Sequence, residues 1–265
     1  MGGVVQQGCV KNRIRSFVIL DLETTGLPYD KPVKITEISM VAALREHITE
    51  YRNGLINGVA VPRVLSKLSI CISPRRRISK RASDITHLTN ELLEHQNPFD
   101  EHLFNMLNGF MKRVPQPVCI IAHNGLRFDF PILQAELFKI GKAFPDHIMC
   151  ADSLCGFRNL LQACKSTTPE VDTSEITEGK RGCLNVSCPT QKRLNLLSKE
   201  KLQNTLSSFK LDDVYRFLLK RDPVNSHYAE NDALNLLECI VALGNGFMEW
   251  ADENAIQFNS IKEMG

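Results

Sequence analysis

Long hydrophobic runs, an export signal and a strong net charge are all missing from this 265-residue sequence. No apolar stretch approaches the roughly 20 residues that a membrane-spanning helix needs. Residues 1–10 lack the charged-then-apolar layout of a secretory signal. The net charge of +2 does not require nucleic acid, so any basic surface has to be local. We expect a protein with no membrane segment.

The cysteines do not form a disulfide or zinc pattern. Their number is nine, which is odd, and Cys71, Cys119 and Cys239 lie within apolar runs. This usage is typical of reduced thiols inside the cell, so we expect a cytoplasmic and/or nuclear protein. Cys183 and Cys188 stand close together without a second pair of His or Cys residues nearby, which argues against a zinc site.

A single folded domain is what the remaining composition predicts, with 43% apolar and 23% charged residues. We place it at residues 16–257, between a flexible tail at 1–15 and another at 258–265. Residues 165–207 are dominated by polar side chains and cannot supply a core, so we expect a mobile insertion there.

Residues 16–28 carry the first sign of chemistry. Four apolar residues at 17–20 run into Asp21 and Glu23, and Gly26 ends the segment, as in a buried strand. Side chains alternate along a strand, so both acids point to one face, roughly 6–7 Å apart. Either a divalent cation neutralises them or they lie in solvent where the strand ends.

The rest of the sequence predicts an α/β protein with a mixed sheet flanked by helices. Residues 65–72 form a candidate edge strand, whose unpaired backbone could bind a second copy of the chain. Further strands are expected at 33–44 (which contains Glu37), 118–122 and 147–151, the last strand, and helices at 99–114, 132–140, 153–161, 209–219, 233–243 and 247–256.

Asp21, Glu23, Asp129 and Asp232 each stand at the end of a strand or the start of a helix. In α/β sheets these ends gather at one rim, where ligands bind. Four converging carboxylates repel one another unless cations bind, and two Mg²⁺ or Mn²⁺ ions suit such a cluster. His227, five residues before Asp232, could accept a proton from an attacking water at a pH that keeps it neutral, or be an ordinary surface histidine.

A basic stretch at residues 74–81 holds five positive charges in eight residues. It could be a solvated loop or a localisation signal, because runs of charge commonly are. It could also attract phosphates, if a nucleic-acid site lies nearby.

The order Asp-x-Glu, Asn-Gly-x-x-Phe-Asp and His-x-x-x-x-Asp resembles the DEDDh division of the DnaQ-like 3′→5′ exonucleases. Within that division the sequence is similar to the three-prime repair exonuclease (TREX) family. The similarity covers about residues 16–164 and 207–257. The stretches that carry it are 17–28, 67–74, 122–137 and 227–237.

This resemblance implies an RNase H-like fold and a 3′→5′ DNA exonuclease that degrades single-stranded or frayed 3′ ends to 5′-mononucleotides. It implies two Mg²⁺ ions per site, with Mn²⁺ able to substitute. It also implies a homodimer formed through the edge strand at 65–72, in which Arg127 helps to close the site across the dimer. The implied metal ligands are Asp21, Glu23, Asp129 and Asp232, and the implied general base is His227. The implied substrate contacts are Glu23, Thr24, Leu27, Arg127, Phe128, Ser208 and Phe209.

Some residues depart from the family pattern, and two alternative functions stay open. Leu126 replaces an acid, Phe128 replaces a tyrosine and loses its hydroxyl, and the insertion at 165–207 replaces a proline-rich stretch or an arginine-rich loop. One alternative is an RNA exonuclease, since the motifs specify phosphodiester chemistry and not the sugar. The other is a non-catalytic nucleic-acid binder that uses the basic stretch.

Overall fold

A computed structural model describes residues 13–27, 33–53, 61–162, 206 and 208–262. The predicted insertion at 165–207 lies outside this description except for Leu206, as does most of the predicted amino-terminal tail. Within the described ranges, no helix is long and apolar enough to cross a membrane.

A six-stranded mixed sheet forms the centre of the fold, in the order β3-β2-β1-β4-β5-β6. The central strand β1 pairs antiparallel with β2 and parallel with β4. The strands are β1 Ser16–Thr24, β2 Ile35–Leu44, β3 Ser66–Cys71, β4 Val118–Ala122, β5 Met149–Asp152 and β6 Ile256–Gln257. The mixed sheet confirms the predicted fold class, and β3 lies at an edge as expected.

Helices cover both faces of the sheet. They are α1 Arg45–Asn53, α2 Lys80–Thr86, α3 Glu101–Arg113, α4 Asp129–Lys139, α5 Ser153–Gln162, α6 Leu211–Leu219, α7 Ala229–Leu243 and α8 Asn245–Asn254. Helix α1 was not predicted, because its residues are strongly polar and lack a clear apolar stripe.

Two hydrophobic cores lie on opposite faces of the sheet, and β1 contributes to both. Val18, Leu20 and Leu22 belong to the core that contains α3 and α4. Phe17 and Ile19 belong to the core that contains α6, α7 and α8. Because side chains alternate along a strand, Asp21 and Glu23 continue the second series and face the side of α7.

The carboxyl-terminal end of the domain differs from expectation. A further strand, β6, pairs antiparallel with β5, so the strand at 149–152 is not the last one. Phe258 follows β6, is fully buried and packs against the rings of Phe130 and Phe144. The ordered structure therefore continues past the boundary expected at 257, because this buried ring completes the first core.

Candidate active site

Three of the predicted carboxylates meet where β1 ends and α7 begins. One side-chain oxygen each from Asp21, Glu23 and Asp232 lies within 4.8 Å of the others. Sheet pairing puts the two β1 acids in place, and the packing of α7 against β1 and β2 delivers Asp232. Residues more than 200 positions apart thus form one cluster of ligand atoms.

Asp129 is the first residue of α4 and is 4% exposed. The charge of Asp129 raises the pKa of Asp21, so Asp129 lies close to the cluster. It is not one of the three closely spaced acids. Burial raises the pKa of Asp129 itself to about 7, against backbone hydrogen bonds that favour the ionised form. All four predicted acids therefore lie at one rim of the sheet.

The acids of the cluster hold their protons far more strongly than free carboxylates. Burial, followed by repulsion from Asp232, Glu37 and Asp129, raises the pKa of Glu23 to about 8. The pKa of Asp21 is raised well above its usual range by burial and then by Asp129. This accumulation of buried negative charge is the electrostatic setting in which a divalent cation binds favourably.

The donor atoms at Asp232 also fit a cation. Its Oδ2 accepts the backbone N–H of His227 at 2.8 Å. Its Oδ1 is buried and has no hydrogen-bond partner among the described residues. A buried oxygen left without a partner is costly unless a ligand satisfies it. Because every candidate donor is a carboxylate oxygen, the site suits hard ions such as Mg²⁺ and Mn²⁺.

His227 is exposed and lies just before α7. Its backbone has φ of 72°, a left-handed conformation that is unfavourable for a residue with a side chain. The hydrogen bond from its N–H to Asp232 holds this conformation beside the cluster. The backbone of His227 is therefore held in place, while its imidazole is accessible from solvent.

The segment Thr24–Leu27, here called the β1 exit loop, borders the acids. Thr24 donates its hydroxyl to the carbonyl of Gly26 at 2.9 Å, and the carbonyl of Thr25 accepts the N–H of Ser79 at 2.9 Å. Leu27 is 51% exposed although it is apolar. Two hydrogen bonds thus hold the loop in place. The loop exposes one hydrophobic side chain at the position predicted to contact a terminal base.

A second loop, His123–Phe128, leads from β4 into α4. The Asp152 carboxylate accepts the N–H of Asn124 at 2.9 Å and that of Leu126 at 3.2 Å. Within this loop Arg127 is exposed, and Phe128 is half-buried against the first core. The loop therefore ends with an aromatic ring and a cation immediately before Asp129.

The predicted contacts Ser208 and Phe209 lie before α6 and are tied to the same loop. His123 hydrogen-bonds through Nε2 to the carbonyl of Phe209 at 2.9 Å and through Nδ1 to the hydroxyl of Ser153 at 3.0 Å. Ser208 donates its hydroxyl to Asp213. These bonds connect α5, α6 and the His123–Phe128 loop into one wall.

Two residues that support the site were not singled out from the sequence. Glu37 lies on β2 directly opposite Glu23, and its Oε2 accepts the N–H of Ala229 at 3.3 Å, at the start of α7. Asp152 holds the loop that carries Phe128, beyond the helix-capping role its position suggests. Glu37 could have been found from strand alternation once the register of β1 and β2 was known.

Comparisons with known proteins agree with this geometry. The family model described as "Exonuclease" matches residues 18–182. Three-prime repair exonuclease 1 of Bos taurus is 34% identical over 257 residues, covering 95% of this chain and 70% of that protein. Three prime repair exonuclease 2 of Mus musculus is 31% identical over 254 residues, covering 95% and 93%.

A solved structure supports the fold. The nuclease domain of 3′hExo, described as a DEDDh family member bound to rAMP, matches with a TM-score of 0.55 and 13% identity. The match covers 87% of this chain and 92% of that one. At this identity the likeness concerns the RNase H-like fold alone.

The fold and the acidic rim fit the exonuclease family whose model matches the chain. The chain belongs to the three-prime repair exonuclease family, and it is a 3′→5′ exonuclease. The predicted family is thereby confirmed. The individual roles of the site residues stay predictions.

Proposed function

We propose that this chain is a Mg²⁺-dependent 3′→5′ DNA exonuclease that releases 5′-mononucleotides from single-stranded or frayed 3′ ends. The observation that carries the proposal is the cluster of Asp21, Glu23 and Asp232, whose oxygens lie within 4.8 Å of one another. Among the described residues, Asp232 Oδ1 has no hydrogen-bond partner. The names of the relatives, which are repair exonucleases, support DNA as the substrate class.

In this proposal Asp21, Glu23, Asp129 and Asp232 hold the cations. Bound divalent cations would neutralise the four carboxylates and stabilise the negative charge that develops on the attacking and leaving oxygens. Mn²⁺ has the same preference for oxygen ligands and is expected to replace Mg²⁺. The raised pKa values of Asp21 and Glu23 mean that cation binding displaces protons.

His227 is the proposed general base. Its imidazole accepts a proton from the water whose oxygen attacks the terminal phosphorus, and the bond to the 3′ oxygen of the preceding nucleotide breaks. The exposed position of His227 supports this role, because its side chain can meet both water and substrate. The bond from its N–H to Asp232 keeps the base next to the cluster.

We base the proposed substrate contacts on the β1 exit loop, the His123–Phe128 loop and the wall that this second loop forms with α5 and α6. Leu27 packs against the terminal bases, Glu23 and Thr24 border the terminal nucleotide, and Phe128 offers a stacking face. Stacking on apolar and aromatic side chains is tolerant of sequence and contributes about 1–3 kcal/mol per base. Ser208 and Phe209 are proposed to contact the strand backbone, and Arg127 is proposed to help close the site across a dimer.

The proposal is tested with 5′-labelled single-stranded DNA and an RNA of the same sequence. Wild-type protein with Mg²⁺ should shorten the DNA one nucleotide at a time from its 3′ end, and chelator should stop the reaction. Asp21→Asn, which preserves shape and removes charge, should be at least about 100-fold slower, since such electrostatic groups are worth several kcal/mol. Cleavage that persists in chelator, or that the variant performs at the wild-type rate, would contradict the proposal.

RNA is the second candidate substrate, and structural neighbours favour testing it. One neighbour is a 3′-exonuclease bound to a histone mRNA stem-loop, and another holds rAMP. Faster shortening of RNA than of DNA in the same experiment would assign the site to RNA. A protein that binds either strand but cleaves neither would be the non-catalytic binder.

A further inference from the structure

The basic segment, defined here as residues 75–81 with the five cations Arg75, Arg76, Arg77, Lys80 and Arg81, contacts the β1 exit loop through Ser79. The N–H of Ser79, within the segment, donates to the carbonyl of Thr25 at 2.9 Å. A Cβ added to Gly26 would lie 3.2 Å from the Ser79 hydroxyl oxygen. The segment and the loop that ends in Leu27 therefore form one continuous surface.

The basic segment is folded rather than extended. Ile78 is buried in a small core with Ala82 and Leu93. The Asn90 side chain accepts the N–H of Ile78 at 2.9 Å and donates to the carbonyl of Arg76 at 2.8 Å. Ser79 also caps α2 by accepting the N–H of Ala82. These contacts hold the backbone that carries the cations, and they disfavour a localisation signal, which a receptor reads from an accessible chain.

The charges themselves point outward. Arg75, Arg77 and Arg81 are exposed, and none of the three forms an ion pair within the part of the chain that the structure describes. Lys80 pairs with Asp84 at 3.0 Å on the surface. Exposed arginines without an ion-pair partner on a folded segment can bind the phosphates of a nucleic acid. Each such contact favours binding because it releases condensed counterions.

The basic segment also lies close to the acids. Thr25 is two residues beyond Glu23, so its carbonyl is about 7 Å along the chain from the cluster. Ser79 contacts that carbonyl, and its arginine neighbours extend from the same place. A strand carries one phosphate per roughly 3.4 Å of duplex, so this distance corresponds to only a few phosphates from the terminal one.

We propose that Arg75 and Arg77 of the basic segment bind phosphates of the nucleic acid that flank the terminal nucleotide. This inference rests on the proposed function and adds a substrate-binding site to it. The chain as a whole carries a charge of only +2, so attraction of a polyanion has to come from such a local surface. Longer substrates gain affinity from this site, whereas a single nucleotide cannot reach it.

The test compares two matched variants. Arg75→Gln/Arg77→Gln removes two charges from the basic segment. Lys112→Gln/Arg113→Gln removes two exposed charges at the end of α3, near the start of β1 and thus away from the cluster. Binding of a labelled 30-mer single strand is measured by fluorescence anisotropy with chelator present, over a range of salt concentrations. Hydrolysis of the 30-mer and of thymidine 5′-p-nitrophenyl phosphate is measured with Mg²⁺.

Loss of two phosphate contacts should reduce the slope of log affinity against log salt by about 1.4, since each contact on a single strand contributes about 0.7. KM for the 30-mer should rise about tenfold or more at low salt in Arg75→Gln/Arg77→Gln. Turnover of the mononucleotide ester should stay at the wild-type rate. The α3 variant should match wild type in every measurement.

An unchanged salt slope in Arg75→Gln/Arg77→Gln would overturn the inference, as would an equal change in the α3 variant. A variant that alters only nuclear accumulation in cells would assign the segment to a transport receptor instead. Failure of wild type to hydrolyse either substrate would contradict the proposed function, while the binding slopes would still decide the inference.

Discussion

At the scale of single residues, the buried acidic cluster is expected to make stability depend on pH. Burial and mutual repulsion raise the pKa of Glu23 to about 8, from an ordinary value of 4.5. Between these two values the folded protein holds more protons than the unfolded chain, so its stability falls as pH rises. Above about 8 the carboxylate is ionised in both states, and its repulsion is fully felt.

We therefore expect the Tm of metal-free protein to decrease between pH 5 and pH 8.5. Added Mg²⁺ should raise Tm more at pH 8.5 than at pH 5, because the cation needs deprotonated ligands. Calorimetry at both pH values, with chelator and with Mg²⁺, measures this. Equal stabilisation by Mg²⁺ at the two values would contradict a cation site built from these acids.

Asp21→Asn should stabilise the metal-free protein at pH 8 while it abolishes activity. Removing one of several repelling carboxylates is expected to contribute about 2 kcal/mol, or roughly 4–8 °C in Tm. The variant should also lose most of the stabilisation by Mg²⁺. A lower Tm than wild type in chelator would show that Asp21 is a structural rather than a cation-binding residue.

Glu37 is expected to position the residues at the start of α7. Its carboxylate accepts the N–H of Ala229, and His227 and Asp232 lie on either side of that residue. Glu37→Ala should lower turnover about tenfold, which corresponds to one lost hydrogen bond of about 1.4 kcal/mol. Glu37→Gln keeps an acceptor oxygen and should retain most of the activity. Equal losses in both variants would indicate that the charge matters rather than the bond.

At the scale of elements, the His123–Phe128 loop shows how packing sets the position of Asp129, a proposed cation ligand. Gly125 allows the loop to approach the sheet, because a Cβ there would lie 2.7 Å from Ala122 Cβ and 2.8 Å from the ring of Phe130. Asp152 then holds the loop from the other side. The start of α4, with Asp129 as its first residue, is fixed as a consequence.

Gly125→Ala should therefore reduce stability by about 1–3 kcal/mol through overpacking, and activity should fall with it because Asp129 shifts. Gly109→Ala is the control, since nothing lies within 4 Å of its added Cβ in α3. That change should stabilise the protein by up to about 1 kcal/mol. Urea denaturation and the labelled-DNA assay measure both effects. Wild-type stability in Gly125→Ala would contradict the close packing of this loop.

At the scale of the whole molecule, β3 forms an edge of the sheet, and among the described residues its backbone is unpaired on one side. The homodimer implied by the family resemblance would pair this edge with a second copy of the chain. Arg127 is exposed, as a residue that contacts a partner subunit has to be. The dimer is a proposal that rests on these two features.

Sedimentation equilibrium should therefore give a mass near twice the 29.9 kDa of one chain at micromolar concentration. Lys67 on β3 pairs with Glu230 at the start of α7, so the dimer edge is connected to the helix that carries Asp232. A mass of one chain at every concentration tested would contradict pairing through β3.

Much of the fold could be predicted because local patterns report local structure. Apolar runs located β1 and β4, and the helical spacing of apolar residues located α3 and α7. Helix α1 was missed because its residues are mostly polar, and β6 because two exposed residues carry no alternating pattern. Elements such as β6 form through pairing with a distant strand, which no local window contains.

The order of the motifs by itself determined the family, the fold and the identity of the candidate acids and base. Tertiary structure alone decided that Asp21, Glu23 and Asp232 come within ligand distance, that Glu37 joins β2 to α7, and that the basic segment borders the β1 exit loop. The reason is that residue types and spacings can be read directly from the sequence. Distances between remote segments depend instead on how the two cores pack on the sheet.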